Sequence, residues 1–406
     1  MKKAFALAGL LVLVALLYGF LNYKGQASPI RIGVIYSQTG TMAESEKALL
    51  EAVKMAVEEI NAAGGVLGRK VEVLAVDGKS DPKVSAAEAE RLITQEKVSM
   101  LIACWTSACR EAVKPIVEKY NHLMFYPLQY EGLETCPNIV YTGMIPNQQL
   151  IPGVQWMLDK GAKRLYLIGS DYIFPRTANV IIRDVINLRQ GVITGERYLP
   201  LGATDFKAVA EEIRRLKPDA ILNTINGDSN RHFFRALKAA GLQDIPTMSF
   251  SVSEADMKMM EGDTFTSHYV VWSYLQGIDS DENRRFIARY KSHFGRDKIA
   301  SDPLEATYIA VYLWAQAVRD ANSDLPERVN RTILRQAFKA PSGMVSVDYA
   351  TRHLWKSVRI GKVNRDGLFE KVWESPATVR PSPFPELRGK AEWLKIKPQE
   401  HSEGGK

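Results

Sequence analysis

Trp105, Thr106 and Ser107 interrupt an apolar run, Leu101–Cys104, and stand directly before a helical pattern of Ala112, Val113, Ile116, Val117 and Tyr120. A second apolar run, Leu123–Phe125, ends in Tyr126 and continues as Pro127-Leu128-Gln129-Tyr130-Glu131-Gly132. Indole, phenol, hydroxyl and carboxamide groups therefore crowd the ends of two successive strands. Such a set suits recognition of a small polar molecule, with aromatic walls, side-chain hydrogen bonds and backbone N–H groups left open where Thr106 and Ser107 begin a helix. Each aromatic alone reads as core; three at neighbouring strand ends read as a site. Further along, Tyr172, Asn226, Asp228 and Glu254 also follow apolar strand-like runs, so they fall on strand-end loops.

Catalysis fits poorly. The six histidines (His122, His232, His268, His293, His353 and His401) are scattered, with no i,i+4 pair, and no Gly-x-Ser-x-Gly elbow is present. The cysteines, Cys104, Cys109 and Cys136, lack zinc-finger spacing. In an oxidising compartment they allow one disulfide and a leftover thiol, and buried free thiols are the default expectation. Gly64-Gly65-Val66-Leu67-Gly68 follows a helix and precedes a strand, the reverse of a dinucleotide-binding loop, and reads as a turn. No metal site and no cofactor are expected. The net charge of +7 is spread along helices and turns without interleaved aromatics, which speaks for a solvated surface and against a nucleic-acid partner.

The elements that would carry these residues alternate. Strands are expected at Ile32–Tyr36, Val71–Val76, Arg164–Ile168, Val192–Tyr198, Ala220–Asn223, Pro246–Ser249 and Tyr269–Trp272. Helices are expected at Met42–Ala62, after Asp81-Pro82, from Pro146 to Leu158, near Thr177–Arg189, and at Asp205–Leu216, Ser229–Ala240, Glu282–His293 and Pro303–Ala321. Asp302-Pro303-Leu304-Glu305 has the form of a capping box. Met344–Val347, Leu354–Ile360 and Phe369–Trp373 then alternate like antiparallel strands around an Arg365-Asp366-Gly367 turn. Repeated strand–helix units mean an α/β fold with mainly parallel sheets. At 406 residues there are too many units for one ordinary sheet, so two doubly wound lobes are expected, with strand ends meeting in a cleft.

Met1-Lys2-Lys3 before the apolar run Ala4–Leu21 marks an export segment over residues 1–28, either a cleaved signal peptide or an inner-membrane anchor. The remainder is expected to be periplasmic or otherwise extracytoplasmic. The end of the chain, residues 381–406, is a proline-rich, charged tail whose last residues are expected to be disordered.

Several stretches resemble a known family. Ile32-Gly33-Val34, Ser37-Gln38-Thr39-Gly40, Asn61-Ala62-Ala63-Gly64-Gly65 and Asp77 with Asp81-Pro82 are similar to the start of type I periplasmic solute-binding proteins of the branched-chain amino acid and amide class. Cys104-Trp105-Thr106-Ser107-Ala108, Phe125-Tyr126-Pro127, Tyr130-Glu131-Gly132, Pro146-Asn147-Gln148-Gln149, Gly169-Ser170-Asp171-Tyr172, Asn223–Asn230 and Ser249–Glu254 narrow the likeness to urea-binding proteins of ABC transporters, relatives of the amide-sensing regulators of amidase operons. The resemblance implies two α/β lobes joined by three hinge crossovers, with residues 29–145 and 276–345 in one lobe and 146–275 and 346–380 in the other. It also implies ABC permease subunits as partners. By position, Trp105 and Ser107 match a Tyr and a Ser of the amide regulator, and Tyr126 and Tyr172 match tyrosines of its pocket. Leu128 and Phe174 stand where that pocket has Thr and Tyr, and the Trp-Thr-Ser and Asn-Gly-Asp-Ser-Asn forms favour urea.

Urea offers four N–H donors and one carbonyl, and each left unmatched on burial costs about 1–3 kcal/mol. Trp105 and Tyr126 would form the flat wall, while Ser107 and nearby backbone N–H groups would serve the carbonyl. Asp228, Glu254 or the Tyr172 hydroxyl would accept from the amines, with Thr106, Gln129, Tyr130 and Asn226 completing the shell. Three other functions fit less well: a membrane-anchored sensor feeding a signalling partner, a branched-chain amino acid binder using Glu254 for the ammonium, and an amide hydrolase.

Overall fold

A computed structural model describes residues 28–260 and 265–396. The expected export segment and the last ten residues of the tail lie outside the described residues, apart from Ser28. Among the described residues, no helix is long and apolar enough to cross a membrane.

The first half alternates β1 (Ile30–Tyr36), α1 (Ala43–Ala62), β2 (Val71–Asp77), α2 (Pro82–Thr94), β3 (Leu101–Ala103), α3 (Ser107–Lys119), β4 (Met124–Tyr126) and β5 (Ile139–Tyr141). Asp81 caps α2 through the N–H groups of Lys83 and Val84, with Pro82 at its first position. These strands form a parallel sheet in the order β2-β1-β3-β4-β5.

The chain then continues through α4 (Leu150–Asp159), β6 (Arg164–Ser170), α5 (Ile173–Leu188), β7 (Val192–Leu199), α6 (Lys207–Leu216), β8 (Ala220–Thr224), α7 (Ser229–Ala239), β9 (Thr247–Ser249), α8 (Glu254–Met259) and β10 (His268–Trp272). It returns to the first core as α9 (Asp281–Phe294), α10 (Asp302–Ala321), α11 (Pro326–Thr332) and a small antiparallel sheet, β11 (Ala337–Ala340), β12 (Gly343–Val347) and β13 (Leu354–Trp355). Finally β14 (Arg359–Val363) and β15 (Phe369–Glu374) add antiparallel strands to the second sheet, and α12 (Lys390–Ile396) packs on that half. The second sheet runs β15-β14-β10-β9-β8-β6-β7. Two hydrophobic cores, one per large sheet, make the molecule a two-lobed α/β protein with mainly parallel sheets.

Among the described residues the chain passes between the cores three times, after β5, after β10 and after β13. Buried side chains lace these crossovers. Gln148 Nε2 donates to the carbonyls of Leu354 and Val379, and Lys356 Nζ donates to the Thr142 carbonyl. Asp302 accepts from the N–H groups of Ser273 and Tyr274 at 2.9 and 2.8 Å.

That lacing corrects several expectations. Asp302 is spent on the second crossover and does not cap α10, and Glu305 accepts from the Ser342 N–H, so no capping box forms. Residues 146–149 do not start a helix, because Gln148 and Gln149 turn their carboxamides to crossover and strand carbonyls. Leu354–Ile360 is not one strand: it divides between the small sheet and the second large sheet, with Lys356 anchored between them. Val347 and Leu354 pack in the first core, so the boundary drawn at 345 falls inside the small sheet. Within the described part of the tail, Trp393 is buried and donates to the Pro385 carbonyl, and Arg388 pairs with Asp184. Cys104 and Cys109 are disulfide-bonded, not free; only Cys136 is a buried thiol.

Asp302→Ala would strand two buried N–H groups at a crossover, at about 1–3 kcal/mol each. Guanidinium unfolding should show a loss of about 2–6 kcal/mol; a loss below about 1 kcal/mol would mean that water replaces the carboxylate.

Candidate functional site

The order β2-β1-β3-β4-β5 reverses between β1 and β3, and the matching order β7-β6-β8-β9-β10 reverses between β6 and β8. In open α/β sheets the crevice beyond the strand ends at such a reversal is where ligands bind. Here the two reversal points meet. Ser37 follows β1 and Trp105 comes just after β3; Tyr172 comes just after β6 and Asn226 just after β8. Trp105 Nε1 donates across the seam to Asn226 Oδ1 at 3.3 Å, and Gln129 Nε2 donates across it to Ser251 Oγ at 3.0 Å. Gly227, at φ +62°, lets the second lobe come close to Thr41 and Met42; a Cβ there would lie 3.3 Å from the Thr41 carbonyl oxygen and the Met42 sulfur.

A cavity of about 110 Å³ lies at this seam, lined by Ile35, Ser37, Glu46, Ser80, Thr106 and Tyr172 among others. Glu46, on α1, was not foreseen. Its carboxylate is buried, accepts from the Ser37 N–H, and is pushed up to about 7, chiefly by burial and against the pull of Ser37. Among the described residues no cationic side chain pairs with it. One signal did exist: Glu46 shares the spacing of Leu49, Val53, Ala56 and Ile60, so a charge sits on the apolar face of α1.

The expected residues divide. Thr106 and Tyr172 line the cavity, and Trp105 and Asn226 join the lobes beside them. Burial holds the Tyr172 phenol protonated, with Tyr126 and Glu131 adding to the effect. Gln129 bridges the lobes, and its Oε1 is buried without a partner.

Five roles need correction. Tyr126 is fully buried and donates to the Trp105 carbonyl, so it supports the tryptophan from behind instead of forming a wall. The Ser107 hydroxyl donates to Glu131 at 2.6 Å and accepts from Arg110, which leaves it no proton for a carbonyl. Asp228 is solvent-exposed and makes no cap bond, while Tyr130 turns away to bond His353 and stack on Tyr141. Glu254 faces neither cleft nor solvent: its oxygens accept from the N–H groups of Gln276 and Phe369 inside the second core.

Under the loop lies Arg110, completely buried. It bonds Glu131 at 2.8 Å and Glu134 at 3.1 Å, and its guanidinium lies over the rings of Tyr130 and Tyr126. Removing one partner of such a group strands a buried charge, so the network fixes geometry more than it adds stability.

Glu254 supplies a pH test. Burial pushes it up to about 8 from the usual 4.5, the two N–H groups opposing. The folded chain therefore holds a proton that the unfolded chain releases between these values. Stability should fall as pH rises from about 4.5 towards 8. Glu254→Gln should flatten that part of the profile in thermal unfolding, and an unchanged slope would assign it elsewhere.

Comparison with known proteins matches this architecture. One relative, limonene hydroxylase of Geobacillus stearothermophilus, is 31% identical over 117 residues, which are 29% of this chain and only 21% of that protein. The Leu/Ile/Val-binding protein homolog 6 of Brucella melitensis biotype 1 is 22% identical over 356 residues, covering 84% of this chain and 90% of the relative. A solute-binding protein of an ABC transporter from Rhodopseudomonas palustris BisB5, solved with 3,4-dihydroxybenzoic acid, superposes with a TM-score of 0.79 at 21% identity, over 87% of this chain and 99% of that one. The family model described as periplasmic binding protein domain matches residues 30–390. With both lobes and all three crossovers inside that span, the chain belongs to the periplasmic binding protein family.

Proposed function

We propose that this chain is an extracytoplasmic solute-binding protein that encloses urea or a short amide between its lobes and delivers it to the permease of an ABC transporter. Export by residues 1–28, cleaved or kept as an anchor, belongs to this reading. The observation that carries it is the cavity: about 110 Å³, at two facing reversal points, holding a buried carboxylate with no cation beside it. Pockets for drug-sized ligands run to ~300–1,000 Å³, so this one suits a guest of a few atoms. Among its lining residues there is no Lys, Arg or His to meet an anion, whereas Glu46 suits N–H donors and the Thr106 hydroxyl, which accepts from the Cys109 N–H, suits a carbonyl. At about 1.5 kcal/mol per non-hydrogen atom, urea reaches roughly 6 kcal/mol, a Kd of tens of micromolar. So weak a ceiling demands full enclosure.

A second reading has support of its own. The Brucella relative is named for Leu, Ile and Val, and Glu46 could take an α-ammonium. An aliphatic side chain would then need a wider separation of the lobes.

A thermal-shift panel of urea, formamide, acetamide, isoleucine and 4-hydroxybenzoate separates the readings. Urea or a short amide should raise Tm, since a ligand that binds only the folded form must do so. Isoleucine alone raising it would replace the proposal with the amino-acid reading. Glu46 sets the pH profile. Below about 7 it is protonated and stops being a pure acceptor. Urea affinity should therefore fall as pH drops from 8 to 6. Glu46→Gln should weaken binding at pH 8 by about 1.5–3 kcal/mol, at least tenfold, and remove the pH dependence; a pH-independent wild type would sink the assignment.

A further inference from the structure

The segment that carries Trp105 and Thr106 is closed into a ring. Cys104, directly after β3, is disulfide-bonded to Cys109 in the first turn of α3. Cys104 sits at φ +71°, left-handed backbone that a side-chain-bearing residue adopts at a cost of roughly 1–2 kcal/mol. Much of what the first lobe offers the seam passes through this ring. Trp105 reaches Asn226 from it and takes the Tyr126 hydroxyl on its carbonyl; Thr106 accepts from the Cys109 N–H; Thr106, Ala108 and Cys109 line the cavity.

We propose that the Cys104–Cys109 disulfide positions the binding loop, and that ligand occupancy and the thiol–disulfide state of this pair are coupled. The proposal rests on the ligand reading above. Two features carry it. Without the bond, Cys104 can relax from its left-handed conformation to the extended region, which turns Trp105 relative to α3 and away from Asn226. And the sulfurs are sheltered: Cys104 is 1% and Cys109 8% exposed, with Cys109 on the cavity wall. A reductant reaches them through the cavity, which closed lobes and a bound guest would block.

The exchange balances. One thiolate of a small dithiol attacks Cys109 Sγ, the S–S bond breaks, and Cys104 leaves as a thiolate and takes up a proton. The second thiol of the reductant then resolves the mixed disulfide, releasing Cys109 as a thiol and closing the reductant into its own cyclic disulfide. Two electrons and two protons pass from the dithiol to the protein. Cys136 stands apart from this chemistry. Burial pushes its thiol up to about 12, and it lies beside Glu118, so it serves as an internal control. Coupling of this kind is reciprocal: whatever factor reduction takes from ligand affinity, ligand must add to the free-energy cost of reduction.

The test uses the whole chain, dithiothreitol as reductant and urea as probe. Saturating urea should slow the appearance of Cys104 and Cys109 thiols. Urea should bind the reduced protein, and a C104S/C109S double variant shown by circular dichroism to be folded, on the order of tenfold more weakly than the oxidised protein. C136S should behave as the oxidised wild type, and reoxidation should restore affinity, which a merely structural loss would not allow. If urea raises Tm and binds oxidised, reduced and double-variant protein with one Kd, the coupling is overturned and the ligand reading stands. If urea shifts not even the oxidised protein, the ligand reading fails and the coupling with it.

Discussion

Polar groups at the tips of two sheets have to be matched when the lobes close, and the rest of the molecule is arranged around that requirement. Each sheet ends at its reversal point in loops rich in hydroxyls, carboxamides and backbone N–H groups. Some of these groups are satisfied across the seam, as Trp105 is by Asn226 and Gln129 Nε2 by Ser251. Others are not. Gln129 Oε1 and Ser229 Oγ are buried without a protein partner, and Glu46 has N–H donors but no cation. Unmatched buried groups cost about 1–3 kcal/mol each, so a closed but empty seam is expensive. A small molecule rich in N–H donors changes that balance directly.

Matching at this scale tolerates little slack, and both lobes are built to limit it. In the first, Arg110 draws Ser107, Glu131 and Glu134 into one buried cluster under the loop, while Tyr130, Tyr141 and His353 stack beside it. Burial pushes His353 down to about 3, so the stack stays neutral and does not compete with Arg110 for the carboxylates. In the second lobe, Asn223 bonds Asn230 and Ser249, Asn230 reaches back to the Ile225 carbonyl, and Ser170 holds the Asn226 N–H. The residue that meets Trp105 is thus fixed from below by a network of its own. Such clusters give little net stability, but they hold donor and acceptor directions.

The alternation of strands and helices, and hence the two parallel sheets, was legible because period-2 and period-3.6 patterns are local. So was the position of Trp105, Thr106, Tyr172 and Asn226 at strand ends. What could not be read was direction. Glu254 and Asp302 stand in motifs that suggest ligand or cap, yet their carboxylates are taken by N–H groups of Gln276, Phe369, Ser273 and Tyr274, all supplied by crossovers or distant strands. Tyr130 follows the same rule, its hydroxyl claimed by His353 from 223 positions away. Cys104 and Cys109 could be paired only once the left-handed turn at Cys104 was known, because it brings the first turn of α3 back over the end of β3. Glu46 is the opposite case: a carboxylate on the apolar face of an amphipathic helix is visible in the sequence, and its burial is the reason it matters.

The distribution of bonds also decides where the molecule can open. At the crossovers, backbone groups of Thr142, Ser273, Tyr274, Leu354 and Val379 are held by the buried side chains of Lys356, Asp302, Gln148 and Arg359. The C-terminal segment adds a further tie, with the Leu133 N–H donating to the Pro383 carbonyl and Asn147 bonding Arg380 and Ser382. Breaking these would expose buried carbonyls and charges with nothing nearby to replace the lost partners. Side-chain bonds across the seam, by contrast, join neutral groups at loop tips, where water can take the place of either partner once the lobes part. Separation at the seam, with the crossovers intact, is therefore the least costly motion this fold allows. It is also the motion that opens the cavity beside Trp105, Thr106 and Glu46.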